Sequence, residues 1–430
     1  MTSRYGKDAL LYHSDGRAGK IQVIPTKPYL TQQDLALAYT PGVAQPCLEI
    51  KNNSDDIYKY TATGNLVGVI SNGTAVLGLG DIGAKASKPV MEGKGLLFKV
   101  FADIDVFDIE INEKDPVKLV EIITSLAPTF GGINLEDIKA PECFYVERKL
   151  KERLDIPVMH DDQHGTAIIS AAGLLNAAEL AGKKLSDIRV VVCGAGASAT
   201  SCIKMYQSLG VHHQNISVFD SKGCIHKGRN DLTPEKQEMV TDHFYPTLDV
   251  AIKGCDMILG LSVAGQISKA MIKSMAPNPI VFVLANPVPE ISWEDAHSVR
   301  NDLIMATGRS DYPNQINNVL GFPFIFRGAL DVRAKAINED MKIAACHALA
   351  NLAKKRVPDS VCKAYGVDSF MFGREYFIPK PMDIRLISEV SSAVAKAAID
   401  SGVATIDISD WNLYKKSLRK RIEKLHKMKL

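Results

Sequence analysis

Residues 188–193, Ile-Arg-Val-Val-Val-Cys, form an apolar, β-branched run. It passes directly into Gly194-Ala-Gly196-Ala-Ser-Ala199, a helix-forming stretch to about Leu209, and a second apolar run at 216–219 closed by Asp220. A strand, glycine turn, helix and strand in that order make a βαβ unit, whose crossover forces the two strands to run parallel. Gly194 and Gly196 permit the tight turn and a close approach of backbone to a pyrophosphate at the helix N-terminus. Ala199 stands where the helix packs on the strand, and Asp220 is placed to bond ribose hydroxyls. Further strands are predicted at 257–261, 280–285 and 303–306, so the second half of the chain is expected to be a doubly wound parallel sheet that binds a dinucleotide. A nucleotide-free α/β fold is the competing reading. Segments 286–289 and 307–311 follow strand ends, where open α/β sheets bind ligand, and Asn317 and Asn318 lie in the next loop.

With 430 residues the chain is too long for one ordinary core, and two or three domains are expected. Its 51 basic and 49 acidic residues nearly cancel, which leaves no field to favour nucleic acid or a membrane surface and points to a small-molecule partner. The eight cysteines include no CxxC pair and read as buried thiols in a reducing compartment. The first twenty residues lack the apolar core of a signal peptide, and no apolar run reaches membrane-spanning length, so a cytoplasmic location is expected.

In the first half, Thr31-Gln-Gln-Asp34 has capping-box spacing and predicts a helix that stops at Tyr39, before Thr40-Pro41-Gly42. Residues 65–83 read as a buried strand pair followed by a tight turn, and Gly78 to Gly83 match GxGxxG. A short helix carrying Lys94 and an apolar strand ending near Asp103 and Asp105 would follow, so this region alone resembles a first dinucleotide fold. An amphipathic helix is predicted at 116–126, and Glu136 and Asp137 come next, readable either as a solvated pair opening a helix or as ligands for one ion. In the stretch 157–167, Pro-Val-Met-His-Asp-Asp-Gln-His-Gly-Thr-Ala, Asp161 and Asp162 lie between two histidines, just before an alanine- and leucine-rich helix at 166–181. From about residue 329 the chain reads as helical. Its basic tail places Tyr414, Leu418, Ile422 and Leu425 on one stripe, which suits packing on the protein or on a partner subunit better than a membrane or nucleic acid.

Five segments resemble motifs of the malic enzymes in the family's order: AYTPGVA at 38–44, VLGLGDIG at 76–83, MEGKGLLFK at 91–99, GGINLEDI at 131–138 and HDDQHGTA at 160–167. LANP and NQINNVLGFPF in the second half fit as well. The resemblance implies an N-terminal α/β substrate and metal domain at 1–163 and a Rossmann-type NAD(P)-binding domain at 164–430 with a helical C-terminal segment. It assigns the first glycine motif to the substrate domain and the second to the dinucleotide. Carried over by position, Glu136, Asp137 and Asp162 are metal ligands, with Asp161 beside them. Lys94 is the general base, Tyr39 the general acid, and Asn286 and Asn318 contact substrate.

The implied reaction is oxidative decarboxylation of L-malate to pyruvate and carbon dioxide. Three carboxylates suit Mg2+ or Mn2+, hard ions that prefer oxygen ligands. As base, Lys94 must be neutral, and burial and a nearby cation are expected to lower its pKa. Asp220 favours NAD because an acid repels a 2′-phosphate, but Lys222 follows it and can neutralise such a phosphate, and relatives with a DSKG segment resemble NADP users, so NADP is favoured over NAD. One departure is that longer relatives carry a substrate-binding arginine just before the LGLGD motif, where this chain has Ala75 and Val76. The resemblance also implies a homodimer or higher homo-oligomer and, given the length, no fused phosphotransacetylase-like domain. The rival readings are a malolactic-type lyase and a non-catalytic NAD-binding regulator.

Overall fold

The structure, a computed structural model, describes residues 6–76 and 78–427; Leu77 of the first glycine segment and the last three residues of the basic tail lie outside the described residues. In chain order, the first half contains α1 (Gln32–Ala38), β1 (Leu66–Ser71), α2 (Ala84–Ala102), β2 (Asp105–Glu110), α3 (Pro116–Leu126), β3 (Gly132–Leu135), α4 (Glu142–Arg153) and β4 (Val158–His160). Its strands form a parallel sheet of order β2-β1-β3-β4. Every residue of β1 and β3 is buried, as expected of parallel strands covered on both faces.

α1 forms because Thr31 and Asp34 cap it reciprocally, as the sequence predicts. Two expectations for this half fail. Residues 65–83 hold one strand rather than a pair, because after Ser71 the chain turns into a loop with a single bridge between Val76 and Gly80. The apolar run at 96–101 is the end of α2, a 19-residue helix, and the following strand begins only at Asp105. A run as short as this, apolar but for Lys99, carries no period that separates helix from strand.

α5 (Asp161–Ala181) leads into β5 (Val190–Cys193), α6 (Ala197–Ser208), β6 (Ile216–Asp220), β7 (Gly223–Cys224), β8 (Met257–Gly260), β9 (Ile280–Val283) and β10 (Ile304–Thr307). The sheet order is β10-β9-β8-β5-β6-β7, parallel except for the short β7, which pairs antiparallel with β6 and was not expected. The order reverses between β5 and β8, so a crevice opens at their carboxyl ends, beside Gly194. Gly194 has φ +117°, and a Cβ there would stand 2.3 Å from the Leu261 carbonyl oxygen, so glycine is required.

The remaining helices used below are α7 (Phe322–Asp331), α8 (Glu339–Ala353), α9 (Leu386–Asp400) and α10 (Trp411–Lys427). One continuous apolar core joins the two halves, running from Val67, Met91 and Phe98 through α5 to Val190 and Phe282. Phe98 of α2 meets Phe322 and Phe326 of α7 edge-on, with ring centroids 4.7 and 5.4 Å apart. A buried phenylalanine contributes about 1.5–3 kcal/mol, whereas an exposed ion pair gives about 1 kcal/mol or less. These rings therefore fix the helix of Lys94 against the second half. In α10, Leu418 and Ile422 are buried, so the tail packs on the protein along the predicted stripe. All eight cysteines are free thiols. Seven are buried, but Cys47 is exposed, because its helix, Ala44–Asn52, buries none of its residues.

Candidate active site

Four elements bring five charged side chains and one amide together: Lys94 from α2, Glu136 and Asp137 from the end of β3, Asp161 and Asp162 from the first turn of α5, and Asn318 from the turn before α7. α5 starts five residues earlier than the sequence suggests, which puts both aspartates at a helix N-terminus, where backbone N–H groups favour negative charge. Asp137 adopts φ +53°, and its carbonyl accepts from the N–H groups of Thr74 and Ala75 at 3.1 and 3.0 Å. The loop preceding the first glycine motif is thereby tied to the acidic pair. Carboxylate oxygens of Glu136, Asp137 and Asp162 lie within 4.8 Å of one another. The Asp137 N–H donates to Asp162 Oδ2 at 2.8 Å, and the amide of Asn134 donates to Glu136 Oε2 at 2.9 Å.

Lys94 Nζ contacts Asp161 Oδ2 at 2.7 Å and Glu136 Oε1 at 2.8 Å, and lies 4.2 Å above the Phe322 ring. Asn318 donates to Asp161 Oδ2 at 3.1 Å while its own carbonyl oxygen accepts from Thr166 at 3.1 Å. Burial alone would pull the Lys94 ammonium down, but Asp161, Glu136 and Asp162 outweigh it and hold the amine protonated, above its ordinary value. The expected lowering is thus reversed by the protein's own carboxylates. Burial pushes Glu136 well above the usual carboxylate range, with neighbouring acids adding to the shift and Lys94 opposing it.

Four clustered acids, three of them buried and Asp162 partly exposed, outnumber the one ammonium among them, an arrangement that costs free energy unless a further cation compensates it. Asp161 Oδ1 is buried and accepts no hydrogen bond among the described residues. An all-oxygen donor set with these features fits a hard divalent ion.

Gly194 ends β5, Gly196 caps α6 with open space around its Cα, and Ala199 is fully buried against the sheet. The Ser198 hydroxyl donates to the Asp162 carbonyl at 2.7 Å, so the glycine turn sits directly beside the acidic cluster. Asn286 is exposed in the loop after β9; its carbonyl oxygen lies 3.2 Å from where a Cβ on Gly78 would be, so this loop faces the first glycine motif.

Tyr39 is at the C-cap of α1, 75% exposed, and lies outside this set of contacts. Asp220 is not open to ribose hydroxyls: Arg229 and Lys236 pair with it and, although burial pushes the other way, bring it down to about 2. The side chain of Lys222, the residue expected to meet a 2′-phosphate, pairs with Asp231.

The sequence model described as malic enzyme, N-terminal domain matches residues 18–151, and that described as malic enzyme, NAD binding domain matches residues 163–362. The chain belongs to the malic enzyme family. An NADP-dependent malic enzyme of Haemophilus influenzae is 57% identical over 99% of this chain and 56% of its own length. The chain thus spans about half the length of the curated relatives at the head of the comparison. An NADP-dependent malic enzyme of Halomonas elongata is 55% identical over 94% of this chain and 96% of its own. The crystal structure of the malic enzyme of Pyrococcus horikoshii superposes with a TM-score of 0.88 at 40% identity, covering 97% of this chain and 95% of that one.

Several residues that shape the site escape a reading of the sequence. Glu147 of α4 accepts the backbone N–H of His160 at 3.0 Å and contacts His164 Nε2 at 2.9 Å and Lys151 at 2.8 Å. Lys342 of α8 approaches the other ring nitrogen of His164 at 3.2 Å. Burial, with Lys342 nearby, pulls His164 below its ordinary value, while Glu147 opposes the shift. Glu290, fully buried, accepts from the N–H groups of Ser262 and Ala285 at 2.8 and 3.2 Å and so joins the loops after β8 and β9. No local motif marks these acids; only an apolar environment around a charged residue would have drawn attention to them.

Proposed function

We propose that the chain oxidatively decarboxylates L-malate to pyruvate and carbon dioxide, with Mg2+ or Mn2+ and with NADP favoured over NAD. The reading places a substrate and metal domain at 1–163, a dinucleotide domain at 164–430, and the enzyme in the cytoplasm as a homodimer or higher homo-oligomer. The supporting observation is the convergence of Lys94, Glu136, Asp137, Asp161, Asp162 and Asn318 from both halves at one point beside the dinucleotide turn.

In this reading Glu136, Asp137 and Asp162 hold the ion, and Gly194, Gly196 and Ala199 seat the dinucleotide. Lys94 takes the proton of the C2 hydroxyl, and Tyr39 returns one to C3 after carbon dioxide has left. Asn286 and Asn318 orient malate, and the apolar wall at Phe322 excludes water behind Lys94. A divalent ion held by Glu136, Asp137 and Asp162 would supply positive charge to acidify the alcohol and stabilise enolate charge and would compete for carboxylates that keep Lys94 protonated, and a dinucleotide seated at Gly194 and Gly196 would supply the hydride acceptor.

The test is nicotinamide absorbance with L-malate and Mn2+, with NAD+ and NADP+ in parallel, with and without chelator, followed by assay of pyruvate and lactate. Reduction that a chelator abolishes, with equivalent pyruvate and a preference for NADP+, is expected. Lactate without net reduction would replace this reading with a lyase; no turnover by folded, metal-supplied protein would leave a binding protein.

A further inference from the structure

Asp220 closes β6 beside the dinucleotide turn, since Gly194 N–H bonds the Phe219 carbonyl at 2.8 Å. From this position an acid ordinarily receives ribose hydroxyls. Here its oxygens are filled from the protein. Arg229 Nη1 and Nη2 donate at 2.8 and 3.2 Å, Lys236 Nζ at 2.6 Å and the Lys222 backbone N–H at 2.9 Å. With its side chain only 6% exposed, Asp220 serves as a buried base for a group of cations.

A second carboxylate lies on the solvent side of that group. Asp231, 41% exposed, accepts from Arg229 Nε and Nη2, both at 2.9 Å, and from Lys222 Nζ at 2.7 Å. Arg229 is therefore held along two edges, by a buried acid on one and by an exposed acid on the other. Three cations, Lys222, Arg229 and Lys236, face two anions, and only one of those anions can leave without opening the core. A phosphate monoester offers the same paired oxygens to an arginine edge and an ammonium, with more charge than a carboxylate.

We propose that Arg229 and Lys222 form the seat for the 2′-phosphate of NADP, and that Asp231 is an internal stand-in that fills this seat and is displaced when NADP binds. The inference rests on the NADP reading above and adds to it. Asp231 weakens NADP binding by competing for the seat, whereas NAD, lacking the phosphate, has nothing to displace. Asp231 thus limits how strongly the protein prefers NADP, and Arg229 creates the preference.

The experiment measures dissociation constants of NADPH and NADH from nicotinamide fluorescence, and competition by 2′-AMP and 5′-AMP, for the full chain and for Asp231→Asn, Arg229→Gln and Lys222→Ala. Asp231→Asn is expected to tighten NADPH and 2′-AMP about threefold or more while NADH and 5′-AMP stay in place. Loss of a charge-assisted, forked contact in Arg229→Gln is expected to weaken NADPH about tenfold or more relative to NADH. Equal factors for both cofactors in either variant would overturn the proposal. Asp231 is on the surface, so Asp231→Asn remains decisive if Arg229→Gln fails to fold. If the full chain binds NADPH more tightly than NADH but Asp231→Asn leaves NADPH unchanged, the NADP reading stands and the stand-in falls; tighter NADH binding by the full chain overturns both.

Discussion

At the residue scale, Lys94 is the most constrained group in the site. Asp161 and Glu136 hold its amine protonated, yet the proposed role as base requires it to give up that proton. The two demands meet only if another positive charge competes for Asp161 and Glu136, which ties the proposed chemistry of the lysine to the proposed ion. Each proton transfer of this kind contributes about 10²- to 10⁴-fold. Lys94→Ala and Tyr39→Phe are therefore expected to lower kcat by at least about a hundredfold with unchanged circular dichroism, and either variant turning over at the original rate would remove that residue from the reaction.

Glu147 makes a stability prediction at the same scale. Burial pushes its carboxyl up, but His164 and Lys151 more than offset this and hold it well below the usual range. A carboxyl depressed in the folded state contributes stability above its unfolded value of about 4.3, and the contribution is lost as pH falls through that value towards the folded one. Removing one partner of a buried pair costs roughly 3 kcal/mol. The melting temperature of Glu147→Gln should thus lie well below that of the original protein at pH 7, with the gap closing below about pH 4. A gap that persists unchanged to pH 3 would show that the charge of Glu147 does not matter.

At the element scale, the two glycines of the second motif separate fold from function. Gly194 cannot accept a Cβ, because Leu261 backbone stands in the way and φ is positive, whereas a Cβ on Gly196 meets nothing within 4 Å. Strain at a positive φ alone costs about 1–3 kcal/mol. Gly194→Val should lower the urea midpoint markedly. Gly196→Ala should leave it in place and weaken only dinucleotide binding, measured by nicotinamide fluorescence, and a loss of stability in Gly196→Ala would contradict this division.

The same contrast shows what the sequence disclosed. β5, α6 and β6 were legible because a strand, two glycines and a closing acid follow one another locally, and α10 because Leu418 and Ile422 keep a helical period. α2 was misread because its mostly apolar end is too short to reveal a period, and α5 because Asp161, Asp162, His164 and Gly165 are weak helix formers that tertiary contacts recruit. The pairing of Asp220 with Arg229 and Lys236 depends on a hairpin return through β7, and that of Glu147 with His164 on packing between α4 and α5. Neither is written in any one segment.

At the scale of the whole molecule, the N-terminal arm is the part that one chain leaves unfinished. The helices Gly6–Ser14, α1 and Ala44–Asn52 bury none of their residues, although the arm carries Leu30 at 88% exposure, Val23 at 78%, Tyr39 at 75% and Leu37 at 67%. Soluble monomers rarely present so many large apolar side chains on one continuous segment. A second copy of the chain is the occupant that the oligomer reading requires, and a two-fold arrangement would cover the arm of each copy at once. Light scattering on the full chain should then give a mass twice that of one chain, and Leu30→Asp combined with Leu37→Asp should give the mass of one. Both side chains are exposed in the single chain, so the double variant should keep its fold, and circular dichroism would check that. Because Leu37 lies two residues before Tyr39, the variant also tests whether Tyr39, the proposed proton donor, depends on the assembly. Loss of turnover together with the dimer, in folded protein, would mean that Tyr39 works only when the arm is covered. A monomer at full activity would assign the apolar arm to some contact unconnected with the reaction.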